Sequence, residues 1–318
     1  MDMENIVKRL QRGDVIVGDG AIGTMLIKQG LKQGDPPELY NLTKPHLLEE
    51  IASLYLNAGA EIISTNTFGA SPLRLRHFSL DKKLEAINRN AVEAVRKAVG
   101  NRAYISASIG PSARFIKPFG DTEPEEVADG FRRQIQALLT AGIDMLCIET
   151  MTDVAEAMLA IEAARSLDSV IPIMTTMTFS KIPQGYFTMT GTSVSDAAAR
   201  LAGAGADIVG SNCGNGTAEM VEIAREFKRC TKTPLAIQCN AGLPTAINAE
   251  LVYPETPGYM ADKTAEMLDI GVQIIGGCCG TEPEHIAAIR KVVDKRRQSS
   301  TAERFADNIS AAGDDRRQ

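Results

Sequence analysis

Cys213, Cys278 and Cys279 are the residues of this chain best suited to chemistry. Cys213 follows the apolar run Asp207–Asn212, and the adjacent pair sits in Gly276-Gly277-Cys278-Cys279-Gly280, at the end of another run. Three thiolates are what a zinc site uses when it keeps a fourth position open for substrate or water. Alone, a cysteine after a strand is usually a small buried hydrophobe, and a neighbouring pair can be a strained redox couple. All three at the ends of two runs that a closed barrel brings near each other favour a metal. Adjacent residues on a regular strand face opposite sides, so Cys278 and Cys279 share one ion only where the strand has opened into a loop. The glycines around them permit that break and remove side chains that would crowd a ligand. Cys147, Cys230 and Cys239 have no partner at ligand spacing and are assigned to packing. His46, His77 and His285 lie away from strand ends and are assigned surface or packing roles.

Two acids also end apolar runs: Asp19 closes Val15–Asp19 and Glu149 closes Met145–Glu149. On the same face as the cysteines they can receive an ammonium group, although a turn-forming aspartate or a local ion pair is the plainer reading of each. The backbone amides of Ala21-Ile22-Gly23-Thr24 can take a carboxylate, as amides at a helix start do. Asp19, Ala21, Ile22 and Glu149 would then clamp an amino acid.

These residues need a scaffold that gathers strand ends, and the rest of the sequence supplies one. Eight short β-rich runs alternate with helical segments: Val15–Asp19, Glu61–Asn66, Ala103–Ile109, Met145–Glu149, Ile171–Thr178, Asp207–Asn212, Leu235–Cys239 and Gln273–Gly277. Repeated βα units imply a parallel sheet, and eight of them imply a (β/α)8 TIM barrel, with ligands at the carboxyl ends of the strands. The helices read as His46–Asn57, Lys83–Val99, Pro124–Ala141, Val154–Ser166, Ser195–Gly203, Ala218–Arg229 and Tyr259–Asp269, with a last one from about Glu282 to Arg297. Thr281-Glu282-Pro283-Glu284 reads as its capping box, with Thr281 at the cap. Four helix-to-strand joints carry a glycine just past the helix, as a left-handed cap requires. The 318 residues, 44% hydrophobic, suffice for one barrel over residues 1–298; residues 299–318 read as a polar, disordered tail.

A net charge of -6 argues against nucleic acid, whose phosphates need a clustered positive field. No apolar run approaches the ~20 residues of a membrane span, and the polar start has no signal-peptide core, so a cytoplasmic location is expected.

Asp19-Gly20-Ala21-Ile22-Gly23-Thr24, Thr65-Asn66-Thr67-Phe68-Gly69-Ala70, Asn212-Cys213 and Gly276-Gly277-Cys278-Cys279-Gly280-Thr281 resemble the homocysteine-binding barrel of the homocysteine S-methyltransferases. Asp35-Pro36-Pro37-Glu38 and Asn240-Ala241-Gly242 are most similar to the amino-terminal module of cobalamin-dependent methionine synthases. The resemblance runs from about Asp14 to Val293. It implies that Cys213, Cys278 and Cys279 ligate one Zn2+, that Asp19 and Glu149 hold the homocysteine amino group, and that a methyl donor supplies the carbon. That donor is expected to be a methyl-corrinoid linked to methyltetrahydrofolate, with methylcobalamin on a separate protein or domain. S-methylmethionine and S-adenosylmethionine are alternative donors. Betaine is disfavoured, because Trp is absent and Phe68-Gly69 stands where betaine-using members carry an aromatic pair. Two other readings compete. A phosphate-binding barrel aldolase or isomerase would place a lysine at an inner strand end, and none of the eight ends has one. A purely structural zinc site would need a fourth protein ligand.

Overall fold

The computed structural model describes residues 3–32, 34–247 and 250–314, with backbone alone at 247, 250 and 300–314. Eight parallel strands form the barrel: Ile16–Val17, Ile62–Ser64, Tyr104–Ile109, Met145–Met151, Ile173–Met177, Ile208–Asn212, Leu235–Cys239 and Ile274–Gly277. The first strand pairs with the eighth, Ile16 opposite Ile274, and the order continues through the seventh to the second. A parallel bridge between Gly18 and Ile62, with Glu61 N–H donating to the Val17 carbonyl at 2.8 Å, closes the ring. All eight expected strands are present. The first, second and fifth are shorter than expected; past Val17 the chain opens into the loop that carries Asp19.

Inside the barrel, Ile16, Ile62, Tyr104, Met145, Met174, Ile208, Ala236 and Ile274 form an apolar layer. Ile6 and Leu10 of the helix Ile6–Gln11 plug it from below, a helix whose four-residue apolar spacing and Asn5 cap are too brief to stand out in sequence. Two residues further along the strands the inward positions become Gly18, Ser64, Ser106, Cys147, Thr176, Gly210, Gln238 and Gly276. The barrel therefore turns from apolar to small and polar towards its carboxyl end, leaving room for a cleft there.

Outside, the helices Pro45–Asn57, Leu84–Val99, Pro124–Ala141, Val154–Leu167, Val194–Ala204, Thr217–Cys230 and Pro257–Ile270 each bury one stripe. In Thr217–Cys230 that stripe is Met220, Val221, Ala224 and Phe227, at helical spacing. Gly59, Gly142, Gly205 and Gly271 all adopt positive φ, as the four tight joints demanded.

Several expectations need correction. The last helix begins at Pro283, so Glu282 is its cap. His285 supplies the reciprocal bond of a capping box, its Nδ1 accepting the Glu282 N–H at 3.1 Å, and Thr281 is free for another task. The helix also runs on to Asp314 rather than ending near Arg297: the alanine-rich stretch after 299 contains no proline to stop it. Of the tail expected over 299–318, residues 315–318 lie outside the described residues. Cys230 is exposed rather than packed, because it falls on the outer face of the last helical turn. Two short antiparallel hairpins, Ser180–Ile182 with Gly185–Phe187 and Thr245–Ile247 with Glu250–Val252, were not expected. They sit in loops at the carboxyl ends of strands.

The other end of the barrel is stapled by charge. Glu61 accepts from Arg9 at 2.8 Å, Arg290 at 2.7 Å and Arg297 at 3.0 Å, tying the first helix, the second strand and the last helix together. The Arg9 hydrogen bond and the surrounding guanidinium charges outweigh burial and hold the Glu61 carboxyl below its ordinary range. Such a carboxylate stabilises the fold above its unfolded pKa, and the gain is lost as pH falls through the lower folded value. Glu61→Gln should cost about 2 kcal/mol at neutral pH, because partly buried arginines lose a shared partner. Thermal melts at pH 7 and pH 3 check this: the difference between variant and wild type should shrink at the acid end.

Candidate active site

The carboxyl ends of strands one, four, six and eight converge on a cleft of about 620 Å³. Asp19, Ala21, Ile22, Glu149, Cys213, Cys278 and Cys279, named separately from sequence, all line it.

The cysteine sulfurs lie within 4.8 Å of one another, those of Cys213 and Cys279 3.8 Å apart. Four ligands at about 2.3 Å in a tetrahedron stand about 3.8 Å apart, so the spacing suits zinc. Local backbone chemistry makes the cluster possible. Cys213 leaves its strand with φ +57°, a left-handed conformation continued by Gly214 at +73°, and the chain turns sharply over the barrel. After Gly277 the eighth strand opens as expected: Cys278 N–H still reaches the Cys239 carbonyl at 2.6 Å, while the Cys279 carbonyl accepts from Ala241 N–H at 2.9 Å. Both sulfurs then face Cys213.

Electrostatics points the same way. Hydrogen bonds from Cys278 and Cys279 hold the Cys213 thiol well below the ordinary thiol range. Cys278 and Cys279 are in turn pushed up, chiefly by the Cys213 sulfur. One thiolate forms readily and the next two resist, so a divalent cation is the group that lets all three ionise together. The side-chain oxygen of Asn240, whose side chain also hydrogen-bonds Cys213, is buried without a partner. Among the described residues no fourth Cys, His or carboxylate joins the trio.

Across the cleft, Asp19 is buried, its carboxylate accepting from Ser64 N–H at 2.7 Å and Ser64 Oγ at 3.0 Å. Burial raises its pKa to about 7 despite those bonds. Glu149 accepts from the Ser108 hydroxyl and, at 3.2 Å, from Asn212 Nδ2; burial, opposed by Ser108 and assisted by the charges of Asp19 and Cys213, also lifts it to about 7. Among the described residues no basic side chain pairs with either acid, and the ion-pair alternative therefore fails among them. Ala21 N–H is engaged by Thr281 Oγ1 at 3.2 Å, while Ile22, Gly23 and Thr24 open the following short helix. Of the lining residues Arg74 is the one cation, and no lysine reaches the cleft, which removes the Schiff-base reading among the described residues.

Asn212 binds the two sides together. Its Oδ1 accepts from Thr150 N–H and Thr176 Oγ1, both at 2.7 Å. Its Nδ2 donates to Thr150 Oγ1 at 2.8 Å, to Glu149, and, at 3.8 Å, to Cys278 Sγ. These bonds hold Thr150 at φ +59°, a conformation costly for a β-branched residue. In sequence Asn212 is marked only by its place beside Cys213, and Ser64 and Ser108 by nothing more than their strands.

The carboxyl mouth of this parallel α/β barrel thus gathers three thiols and two carboxylates in one cleft. The chain belongs to the homocysteine S-methyltransferase family, whose pattern matches residues 16–293. Among relatives, the methionine synthases of Mycobacterium leprae and Mycobacterium tuberculosis are each 29% identical, aligned over 88% and 90% of this chain. The alignments cover 24% and 25% of those proteins, so the chain spans about a quarter of their length. The metallated homocysteine methyltransferase MmuM from Escherichia coli shares the fold, with a TM-score of 0.75 at 23% identity over 91% of this chain and 99% of that one.

Proposed function

We propose that this chain is a zinc-dependent homocysteine S-methyltransferase that forms methionine, with the methyl group delivered by a methyl-corrinoid on a separate protein or domain. The observation that carries the reading is the open three-thiol cluster sharing one cleft with the buried Asp19 and the half-buried Glu149. The barrel, residues 1–298, is the homocysteine-binding unit. Among the described residues no helix is long and apolar enough to cross a membrane, and six unpaired cysteines suit a reducing, cytoplasmic setting.

Cys213, Cys278 and Cys279 would hold the metal. Zinc, when bound, supplies an open Lewis-acid position at which a substrate thiol loses its proton and stays nucleophilic at neutral pH. Asp19 and Glu149 receive the substrate ammonium, and the Ala21–Thr24 turn faces its carboxylate. Asn212 keeps Glu149 and Cys278 in register, so the amine anchor and the sulfur position are set together. The substrate sulfur forms the new S–CH3 bond while the donor departs with the electron pair of its old bond. The thiol proton goes to water, and no separate strong base is needed.

Two observations support a carried, uncharged donor. Phe68 and Phe78 are the aromatic residues lining the cleft, and the Arg74 guanidinium already lies over the Phe68 ring at 5.3 Å, so no open aromatic cage awaits a quaternary ammonium. Phe115, Phe119, Met189, Leu243 and Leu251 are exposed on loops at the carboxyl face of the barrel, where a second protein or domain must dock.

Purified protein incubated with homocysteine and, separately, methylcobalamin, S-methylmethionine, S-adenosylmethionine or betaine tests the donor. Methionine should form from methylcobalamin, and formation from betaine alone would reject that part of the reading. A pH dependence follows too. The ammonium needs ionised partners, and acids with pKa about 7 take up protons as pH falls, so binding weakens on the acid side. KM for homocysteine should rise about tenfold from pH 7 to pH 6, measured by initial rates at saturating donor.

A further inference from the structure

The loop that carries Asp19 and the loop that carries the paired cysteines are bonded directly to each other. Gly277 N–H donates to the Asp19 carbonyl at 2.8 Å, and Gly280 N–H to Thr24 Oγ1 at 3.0 Å. Thr281 is the centre of this joint. Its Oγ1 accepts from Ala21 N–H at 3.2 Å and donates to the Cys278 carbonyl at 2.7 Å, and its own carbonyl accepts from Tyr55 OH at 3.1 Å. The same Tyr55 hydroxyl lies 3.2 Å from the Ala21 carbonyl. Thr281 and Tyr55 are fully buried.

Two glycines exist to make room for it. A Cβ on Gly20 would lie 2.7 Å from Thr281 Oγ1, and one on Gly277 would lie 2.2 Å from the same atom. Both approaches are closer than real side chains tolerate, so glycine at 20 and 277 and threonine at 281 form one interlocked unit. A structural helix cap, the role its sequence context suggested, would have turned Thr281 towards its own helix. It turns instead to the substrate loop.

We infer that Thr281 is a positioning residue that fixes the distance between the amine anchor and the sulfur position, and so selects a thiol amino acid by its chain length. The inference rests on the proposed function. Homocysteine exceeds cysteine by one methylene, and a rigid separation between Asp19 and the thiol cluster favours the longer molecule, whereas a loosened joint lets the shorter one bridge the gap. Discrimination by a single methylene typically reaches 10- to 200-fold.

Cobalt(II)-substituted protein gives a readout independent of turnover, because sulfur-to-cobalt charge-transfer absorption reports each added thiol. Titrations with homocysteine and with cysteine compare wild type, Thr281→Val, Thr281→Ser and Thr24→Ala. Wild type should prefer homocysteine at least about tenfold. Thr281→Val should bring that preference below about threefold at unchanged cobalt stoichiometry, Thr281→Ser should restore it, and Thr24→Ala should narrow it in part. A wild-type preference retained in both Thr281→Val and Thr24→Ala overturns the inference, with Thr24→Ala deciding should Thr281→Val not fold. Absence of any response of the wild type to homocysteine would instead overturn the proposed function and this inference with it.

Discussion

Cys278→Ser should strip the protein of most of its zinc and slow methionine formation about a thousandfold. The half-buried Cys278 stands beside Cys213 and Cys279, and two sulfurs without the third no longer make a zinc site with one open position. Two losses multiply. A free substrate thiol with pKa about 8.5 is only a few per cent ionised at pH 7, which removes about 30-fold. A sulfur no longer held over the cleft loses orientation as well, for about another 30-fold. Zinc analysis beside single-turnover rates separates the two effects. Full activity with no zinc would contradict the mechanism.

Glu149→Gln should act differently, raising KM for homocysteine about a hundredfold while zinc content stays near wild type. The amide keeps the shape of the side chain but not its charge, and truncating one member of a buried, hydrogen-bonded charge pair costs about 2–5 kcal/mol. The Ser108 hydroxyl can still reach the amide oxygen, so the fourth strand should hold its place. A steady-state profile with zinc content measured on the same sample distinguishes the outcomes. A fall in kcat with no change in KM would assign Glu149 to chemistry rather than to substrate binding.

The contrast between these variants follows from which parts of the site the sequence could reveal. Strand ends were readable because each strand is an apolar run closed by a polar or glycine residue, and barrel topology then fixes which ends meet. Cys213, Cys278, Cys279, Asp19 and Glu149 emerged in that way, each from a residue type that does chemistry. Asn212, Ser64 and Ser108 did not, since a serine or asparagine at a strand end has many ordinary uses and only the geometry selects one. Thr281 misled, because a threonine before a helix carries a capping signature whichever way its hydroxyl turns. The two hairpins were invisible for another reason. Ser180–Ile182 is fully exposed, so no buried face imposes the alternation by which strands are recognised in sequence.

The division of labour in the barrel is likewise physical. Apolar residues fill its lower interior and Glu61 staples its closed end, which leaves the upper interior free to be small, polar and partly unsatisfied. Asp19 and Glu149, both with raised pKa values, lie there.

Cys213, Cys278 and Cys279 would form an open three-sulfur zinc site able to take the substrate thiol as a fourth ligand. X-ray absorption at the zinc edge, on protein as purified and after addition of homocysteine, tests it most directly. About one zinc per chain with three sulfur neighbours is expected, rising to four when homocysteine binds. A sulfur count unchanged by homocysteine, or a protein that turns over normally without zinc, would contradict it.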